Sequence, residues 1–325
     1  MSRVGLMAAT GLLAALTAPA MAIDLQGHRG TRGLAPENTL AAFRAALAIG
    51  VTTLETDLAL TRDGVLVLSH EPRLYAALTR ASDGRWLSDD GPAIFSLKAD
   101  ELAQYDIGRL NPAHKYAAQW AEQKASDGER IPTLQQLFEL ALDARSPGGQ
   151  PVRFNIETKI TPTSGDSTPD PERYARVVVD AVRAARMSDR VVVQSFDWRT
   201  LREVKKIAPE LRTSCLTIDS SGMNTVVPDA SGASPWHAGL KGADYGGSLP
   251  RMAQAAGCSI WTPFWRNVTP ENIAEARALK LKIIPWTIND PAEIERLAAL
   301  GVDGIITDYP DRARRALAAR NIAID

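Results

Sequence analysis

The chain has 325 residues, with 37 Lys plus Arg, 38 Asp plus Glu and four His, giving a formal net charge of −1 at pH 7. Hydrophobic residues make up 45% and charged residues 23%, the proportions of an ordinary soluble globular protein. This balance excludes recognition of nucleic acid or of an anionic membrane through a net field, so any recognition has to be local.

In chain order the first object is a leader. Arg3 supplies a short positive end, and Val4 to Leu16 is apolar apart from Gly5, Thr10 and Gly11. Ala18-Pro19-Ala20 and Ala20-Met21-Ala22 place small residues at the spacing a signal peptidase needs. The apolar stretch falls short of the ~20 residues of a membrane span. The sequence therefore predicts a signal peptide over 1–22, cleaved after Ala22. The mature protein is expected to be periplasmic or secreted, without stable membrane insertion. In an oxidising compartment Cys215 and Cys258 can form a bridge or remain two buried free thiols, and their spacing does not decide between these.

Short apolar stretches then alternate with amphipathic ones. "DLQGHRG" reads as a strand ending in His28-Arg29, followed by the helix "PENTLAAFRAALAIG" with Leu40, Phe43, Leu47 and the alanines on one side. "TLETDLALT" is a strand by alternation, and "RDG" turns it into the hairpin arm "VLVLSH". Residues 71–130 lose periodicity but keep scattered aromatics, too much apolar mass for a linker, and read as an insertion. "IPTLQQLFELALDA" resumes as a helix, with Leu134, Leu137, Phe138 and Leu142 on one face. Strands at "VRFNIETK", "RVVVQSF", "RTSCLTI", "SIWTPFW", "KIIPWTI" and "VDGIITDYP" then alternate with helices to the end. Leaving out the hairpin arm, this makes eight strand–helix units. Repeated alternation of this kind predicts a parallel sheet, and eight units close a (β/α)8 TIM barrel over 23–325, with the insertion after the second strand. An open doubly wound sheet would call for a glycine-rich phosphate loop after the first strand, and "HRGTRG" does not have that form.

Active sites of such barrels lie at the carboxyl ends of the strands. There the sequence places His28 and Arg29, Glu55 with Asp57, His70, Glu157 with Lys159, Gln194, Trp286 and Asp308. Glu55/Asp57 and Glu157/Lys159 are two apart on their strands and so share a face. Glu55, Asp57 and Glu157 are three hard oxygen ligands, suited to Ca²⁺ or Mg²⁺ rather than zinc. Arg29 and Lys159 suit a tetrahedral anion. His28 and His70 allow one general base and one general acid near neutral pH. A metal, two cations and an acid–base pair together form a kit for displacement at phosphorus.

With "HRG" and "PENTLAAF", then "LETDLALTRDGVLVLSHE", "NIETK", "VVVQSF", "WTIND" and "DGIITDYP" in order, the chain resembles the bacterial glycerophosphodiester phosphodiesterases from Leu25 to about Arg315. The resemblance implies a barrel with this insertion and divalent-cation-dependent hydrolysis of a small glycerophosphodiester to sn-glycerol 3-phosphate and an alcohol. It implies His28 and His70 as the acid–base pair, Glu55, Asp57 and Glu157 as metal ligands, and Arg29 and Lys159 on the phosphate. Trp286 would pack on the glycerol. Glu37 and Asn38 belong to the same signature, and Asn38 is expected to cap the helix beside it. Glu71 stands where the family commonly has Asp, and Thr158 where an aliphatic residue separates Glu from Lys. The rival on the same scaffold is a phospholipase-D-like or lysophospholipid phosphodiesterase. For that rival Trp86, Trp120, Trp236, Phe264 and Trp265 would build an apolar rim. A binding protein that merely captures phosphodiesters would need the cations, but not both histidines and the acidic triad.

Overall fold

The computed structural model describes residues 22–325; the expected leader lies outside the described residues except for Ala22. Among them, eight strands run parallel and are followed by helices. They are β1 (Asp24–Gly27), β2 (Thr53–Leu60), β4 (Arg153–Thr158), β5 (Val191–Ser195), β6 (Arg212–Thr217), β7 (Ile260–Pro263), β8 (Lys282–Ile283) and β9 (Gly304–Thr307). Their spatial order is β8-β7-β6-β5-β4-β2-β1-β9. Backbone bonds from Asp303 N–H to Ile283 O (2.8 Å) and Ile306 N–H to Pro285 O (3.0 Å) bring the two edges together and all but close the barrel. The hairpin arm β3 (Leu66–Leu68) folds back antiparallel on β2, pairing Leu58 with Leu68 and Leu60 with Leu66.

The helices are α1 (Leu40–Ile49), α2 (Ala99–Leu102), α3 (Leu134–Leu140), α4 (Pro171–Ala184), α5 (Trp198–Ile207), α6 (Leu249–Ala255), α7 (Pro270–Ala278), α8 (Pro291–Leu300) and α9 (Pro310–Ala319). Many start where side-chain chemistry dictates. Asp170, Thr269 and Asp290 accept hydrogen bonds from the first turns of α4, α7 and α8, whose proline openings need no N–H partner. The main core lies between the barrel wall and these helices. Leu25, Leu54, Phe154, Val191, Val193 and Ile305 pack there against Phe43, Val178, Leu201, Val204, Leu297 and Leu317. Cys215 on β6 is bridged to Cys258 just before β7, so the pairing left open by the sequence is a disulfide.

The structure corrects several details. The buried face of α1 is Ala42, Phe43 and Ala46, with Leu40 and Leu47 only half-buried. α3 stops at Leu140, which leaves Leu142 56% exposed and off the apolar face. β1 ends at Gly27, so His28 and Arg29 sit in the turn that follows. Trp286 lies beyond β8, bridged to Phe264 rather than inside a ladder. Residues 71–130 hold α2 and two single 3₁₀ turns, Ile94–Ser96 and Ala117–Gln119. Their apolar side chains Leu74, Ile94 and Leu102 bury Ala59 and Val67 of the β2–β3 hairpin. Loops of this kind lack a periodic pattern because each apolar side chain is anchored separately.

Candidate active site

The β1–α1 turn sets the site's geometry. Arg29 has φ +50° and Gly30 φ +83°. A Cβ on Gly30 would lie 2.8 Å from the backbone of Ala42, and one on Gly27 would lie 2.2 Å from Gly30 O, so both glycines are required by close approach. A left-handed arginine is strained, and here it is held at both ends. Its N–H donates to Glu55 Oε2 (2.8 Å), and its carbonyl accepts from Asn38 N–H (3.1 Å). Asn38 does not cap α1, which is the role of Thr39, whose hydroxyl accepts from Ala42 N–H. Asn38 adopts φ +55°, a conformation its short polar side chain tolerates. From there its amide donates to Asp57 Oδ2 (3.0 Å) and accepts from Thr56 Oγ1 (2.8 Å).

Glu55, Asp57 and Glu157 are buried, and each offers an oxygen within 4.8 Å of the others. Parallel register produces this cluster: Asp57 sits opposite Glu157 in the β2–β4 ladder, with Glu55 two residues earlier on the same face. Around it lie Arg29, whose Nη1 donates to Glu37 Oε1 (2.6 Å) and whose Nε is 3.2 Å from Asp57 Oδ2, and Lys159. Lys159 Nζ donates to Glu157 Oε1 (2.8 Å) and stands 3.7 Å from Asp57 Oδ1.

His28 Nδ1 is 2.6 Å from Asp308 Oδ1, and His70 Nδ1 is 2.6 Å from Glu71 Oε1. A carboxylate only accepts, so in both neutral rings Nδ1 carries the hydrogen and Nε2 is the free base. Glu71 thus orients His70 as a shorter Asp would. His28 Nε2 faces Glu55 Oε2 at 4.0 Å. His28, Arg29, Glu55, His70, Glu157 and Lys159 border one cavity of about 240 Å³, which is closed on its other side by Phe196, Leu216, Trp286 and Ile306. Phe196 meets Trp286 edge-on at 5.2 Å, and the Trp286 indole N–H donates to Thr262 O (3.0 Å). The eight residues given roles from the sequence line this cavity or, in the case of Asp57, touch residues that do. Thr158 belongs to the wall of β4 with its side chain buried away from the mouth.

The electrostatics test the cluster's fit to a cation. Burial, with Asp57 alongside, holds the Glu55 carboxyl well above the ordinary range. Burial lifts Glu157 to about 7 in spite of Lys159. Burial also works against the Asp57 charge, but His70, Arg29 and Lys159 face it and hold its carboxyl below the ordinary range. Three carboxylates share one site that favours a single negative charge, and Asp57 Oδ1 is buried with no hydrogen-bond partner. A divalent cation among them relieves both conditions, so the residues fit the group. Burial lowers both imidazoles to about 4, overriding Asp308 at His28 and Asp57 at His70, so both rings are neutral at pH 7.

Sequence reasoning left several partners without roles. Asp308, seen only as a strand-end acid, also receives two bonds from Arg32 (2.8 and 3.1 Å) and one from Asn289 (2.7 Å). Tyr116, from the insertion, donates to Glu37, and Trp120 lies under Arg32 with 4.2 Å from Cζ to the ring centre. Gln194 donates to Glu55 Oε1 (2.8 Å). Of the five aromatics named for an apolar rim, Trp120 is buried and Trp86, Trp236, Phe264 and Trp265 are half-buried; Trp236 and Phe264 pack with Phe196, Leu216 and Trp286 beside the cavity.

A family model described as the glycerophosphoryl diester phosphodiesterase family matches residues 28–312. The chain is 32% identical over 285 residues to a glycerophosphodiester phosphodiesterase of Caldanaerobacter subterraneus subsp. tengcongensis, covering 87% of this chain and 93% of that one. A crystal structure from Silicibacter pomeroyi DSS-3, described as a candidate glycerophosphoryl diester phosphodiesterase, superimposes with a TM-score of 0.82. It is 34% identical, covering 95% of this chain and 97% of that one. An Oleispira antarctica phosphodiesterase solved with the product sn-glycerol-3-phosphate is alike in fold, with a TM-score of 0.65 at 22% identity and coverage of 91% and 96%.

Proposed function

This chain belongs to the glycerophosphoryl diester phosphodiesterase family, and from that premise we propose that it hydrolyses glycerophosphodiesters to sn-glycerol 3-phosphate and an alcohol. The observation that carries the reading is the convergence of three buried carboxylates, two cations and two oriented imidazoles on one cavity. Glu55, Asp57 and Glu157 would hold the divalent cation, Ca²⁺ or Mg²⁺. When bound, the cation supplies positive charge to a non-bridging phosphoryl oxygen. Arg29 donates one N–H to Glu37 and stands 3.2 Å from Asp57 through Nε, and its remaining N–H groups, with Lys159, grip the phosphate. One imidazole Nε2 takes the proton of the attacking oxygen, and the other returns a proton to the departing alkoxide. The ring that donates has first to take up a proton from water at Nε2, a step that the negative charge of the incoming diester favours. Trp286, fixed through Thr262 and packed on Phe196, presents an apolar face to the glycerol carbons. The sn-glycerol-3-phosphate held by the Oleispira phosphodiesterase is the product this arrangement would release.

We place the mature enzyme outside the cytoplasm, with residues 1–22 as its signal and Ca²⁺ as the cation it meets most readily. The Cys215–Cys258 bridge supports an oxidising compartment. Purified mature protein supplied with glycerophosphocholine should release glycerol 3-phosphate, read by a coupled dehydrogenase assay. Lysophosphatidylcholine should give little product. The reverse preference would replace this reading by the lipid-directed one.

A further inference from the structure

Barrel interiors are ordinarily filled by layers of bulky apolar side chains. On one side this barrel has that filling, in Val192, Ile260, Ile284 and Ile306. On the other, three buried amides form a continuous row from the floor to the active site. Gln26, Asn155 and Gln194 are 2%, 3% and 1% exposed. Gln26 Nε2 donates to Asp24 Oδ2 (3.0 Å) at the floor. Asn155 Nδ2 donates both to Gln26 Oε1 (2.9 Å) and to Gln194 Oε1 (3.0 Å). Gln194 Nε2 then donates to Glu55 Oε1 (2.8 Å).

The direction of every bond in this row is forced. With Glu55 ionised around a cation, the Asp24 and Glu55 carboxylates only accept, so both glutamines turn their NH₂ groups outward and their carbonyls inward. Asn155 must then spend both N–H groups on those two carbonyls. Its own Oδ1 is consequently buried without a partner, which is what the structure shows. Flipping any one amide would set oxygen against oxygen. The lower end is anchored in turn, since Thr53 Oγ1 donates to Asp24 Oδ1 (2.7 Å) and Arg153 stands 3.4 Å away. A purely space-filling role would be served by apolar residues with no orphaned oxygen. The row instead delivers one N–H, of fixed orientation, to one oxygen of one carboxylate of the acidic cluster.

We propose that Gln194, backed by Asn155 and Gln26, is a positioning residue that fixes the Glu55 carboxylate for the cation. The inference rests on the reading of Glu55, Asp57 and Glu157 as the cation site. Arg29 N–H holds Glu55 Oε2 and Gln194 holds Oε1, so the plane of the carboxylate is set before any cation arrives. Groups that orient a ligand in this way typically carry a 10–100-fold share of metal affinity.

The test is calorimetric titration of the mature chain with Ca²⁺ and Mg²⁺ alone, without substrate, alongside melting of the cation-free protein. Gln194→Met conserves volume and removes the donor. It should weaken cation binding ~10–100-fold while the cation-free protein keeps its near-UV circular dichroism. Gln26→Met acts two links away, at the floor, and should weaken binding several-fold; if Gln194→Met does not fold, this variant decides. Asn155→Asp should reverse the row, turn the Gln194 oxygen toward Glu55 and weaken binding at least as far as Gln194→Met. Wild-type affinity in Gln26→Met and in whichever of the other two variants folds overturns the inference and leaves the proposed function untouched. A wild-type chain that binds neither cation overturns both.

Discussion

His28 and His70 come from different loops yet share one arrangement, Nδ1 on a carboxylate and Nε2 left free. Replacing either by Ala should lower kcat by ~10²–10⁴ with little loss of stability, the range for general acid–base groups; steady-state kinetics beside a melting curve checks it. Asp308→Asn should lower kcat less than His28→Ala does, because the ring remains but its tautomer is no longer imposed, and KM should hardly move. Trp286→Ala should raise KM more than it lowers kcat, as expected of a contact made equally in the ground state. The acids and histidines of the site were legible because spacing of two on a strand, at a strand end, is a local signal. Asp308 could be seen but not paired, since its partner lies 280 residues upstream. Asn38 was read as a cap because it sits where caps sit. Thr39 takes that role one residue later and frees the Asn38 amide for Asp57. Tyr116 sent no signal at all, because a lone tyrosine in an aperiodic segment looks like any other.

The elements that alternate apolar and polar residues, or that open with a capping side chain before proline, were readable along the chain. The start of α1, the end of α3 and the loops were not, because burial there is decided by tertiary neighbours. The long β6–α6 connection shows this. His237 lies there, 1% exposed, stacked on Trp198 of α5 at 4.1 Å, with Nε2 unpartnered. Burial lowers its pKa to about 4. The folded state therefore binds fewer protons than the unfolded state between about pH 6.5 and 4. The contribution to stability is complete above pH 6.5 and is lost as the pH falls toward 4, by about 3 kcal/mol in all. Urea denaturation of the wild type and of His237→Phe across pH 7.5–4.5 measures it, and the variant should show the shallower loss on acidification. Equal slopes would mean that His237 finds a proton acceptor when charged.

At the scale of the whole molecule, eight strand–helix units fixed the architecture in advance, because parallel strands need crossovers and eight of them suffice to enclose a barrel. What could not be read was which apolar residues of 71–130 dock on the hairpin and whether the two cysteines meet. The bridge they form spans 43 residues. Its removal in a Cys215→Ser/Cys258→Ser variant should cost about 3–4 kcal/mol, seen as a lower denaturation midpoint with turnover per folded molecule retained. The barrel's larger consequence is that strands far apart in sequence bring Glu55, Asp57 and Glu157 to one point. The most direct test of the account is release of glycerol 3-phosphate from glycerophosphocholine by the mature chain after exhaustive chelation, followed by re-addition of Ca²⁺ or Mg²⁺. The account predicts that activity disappears on chelation, returns with the cation, and in Glu157→Gln returns only at higher cation concentration. Full turnover in the chelated protein would contradict it.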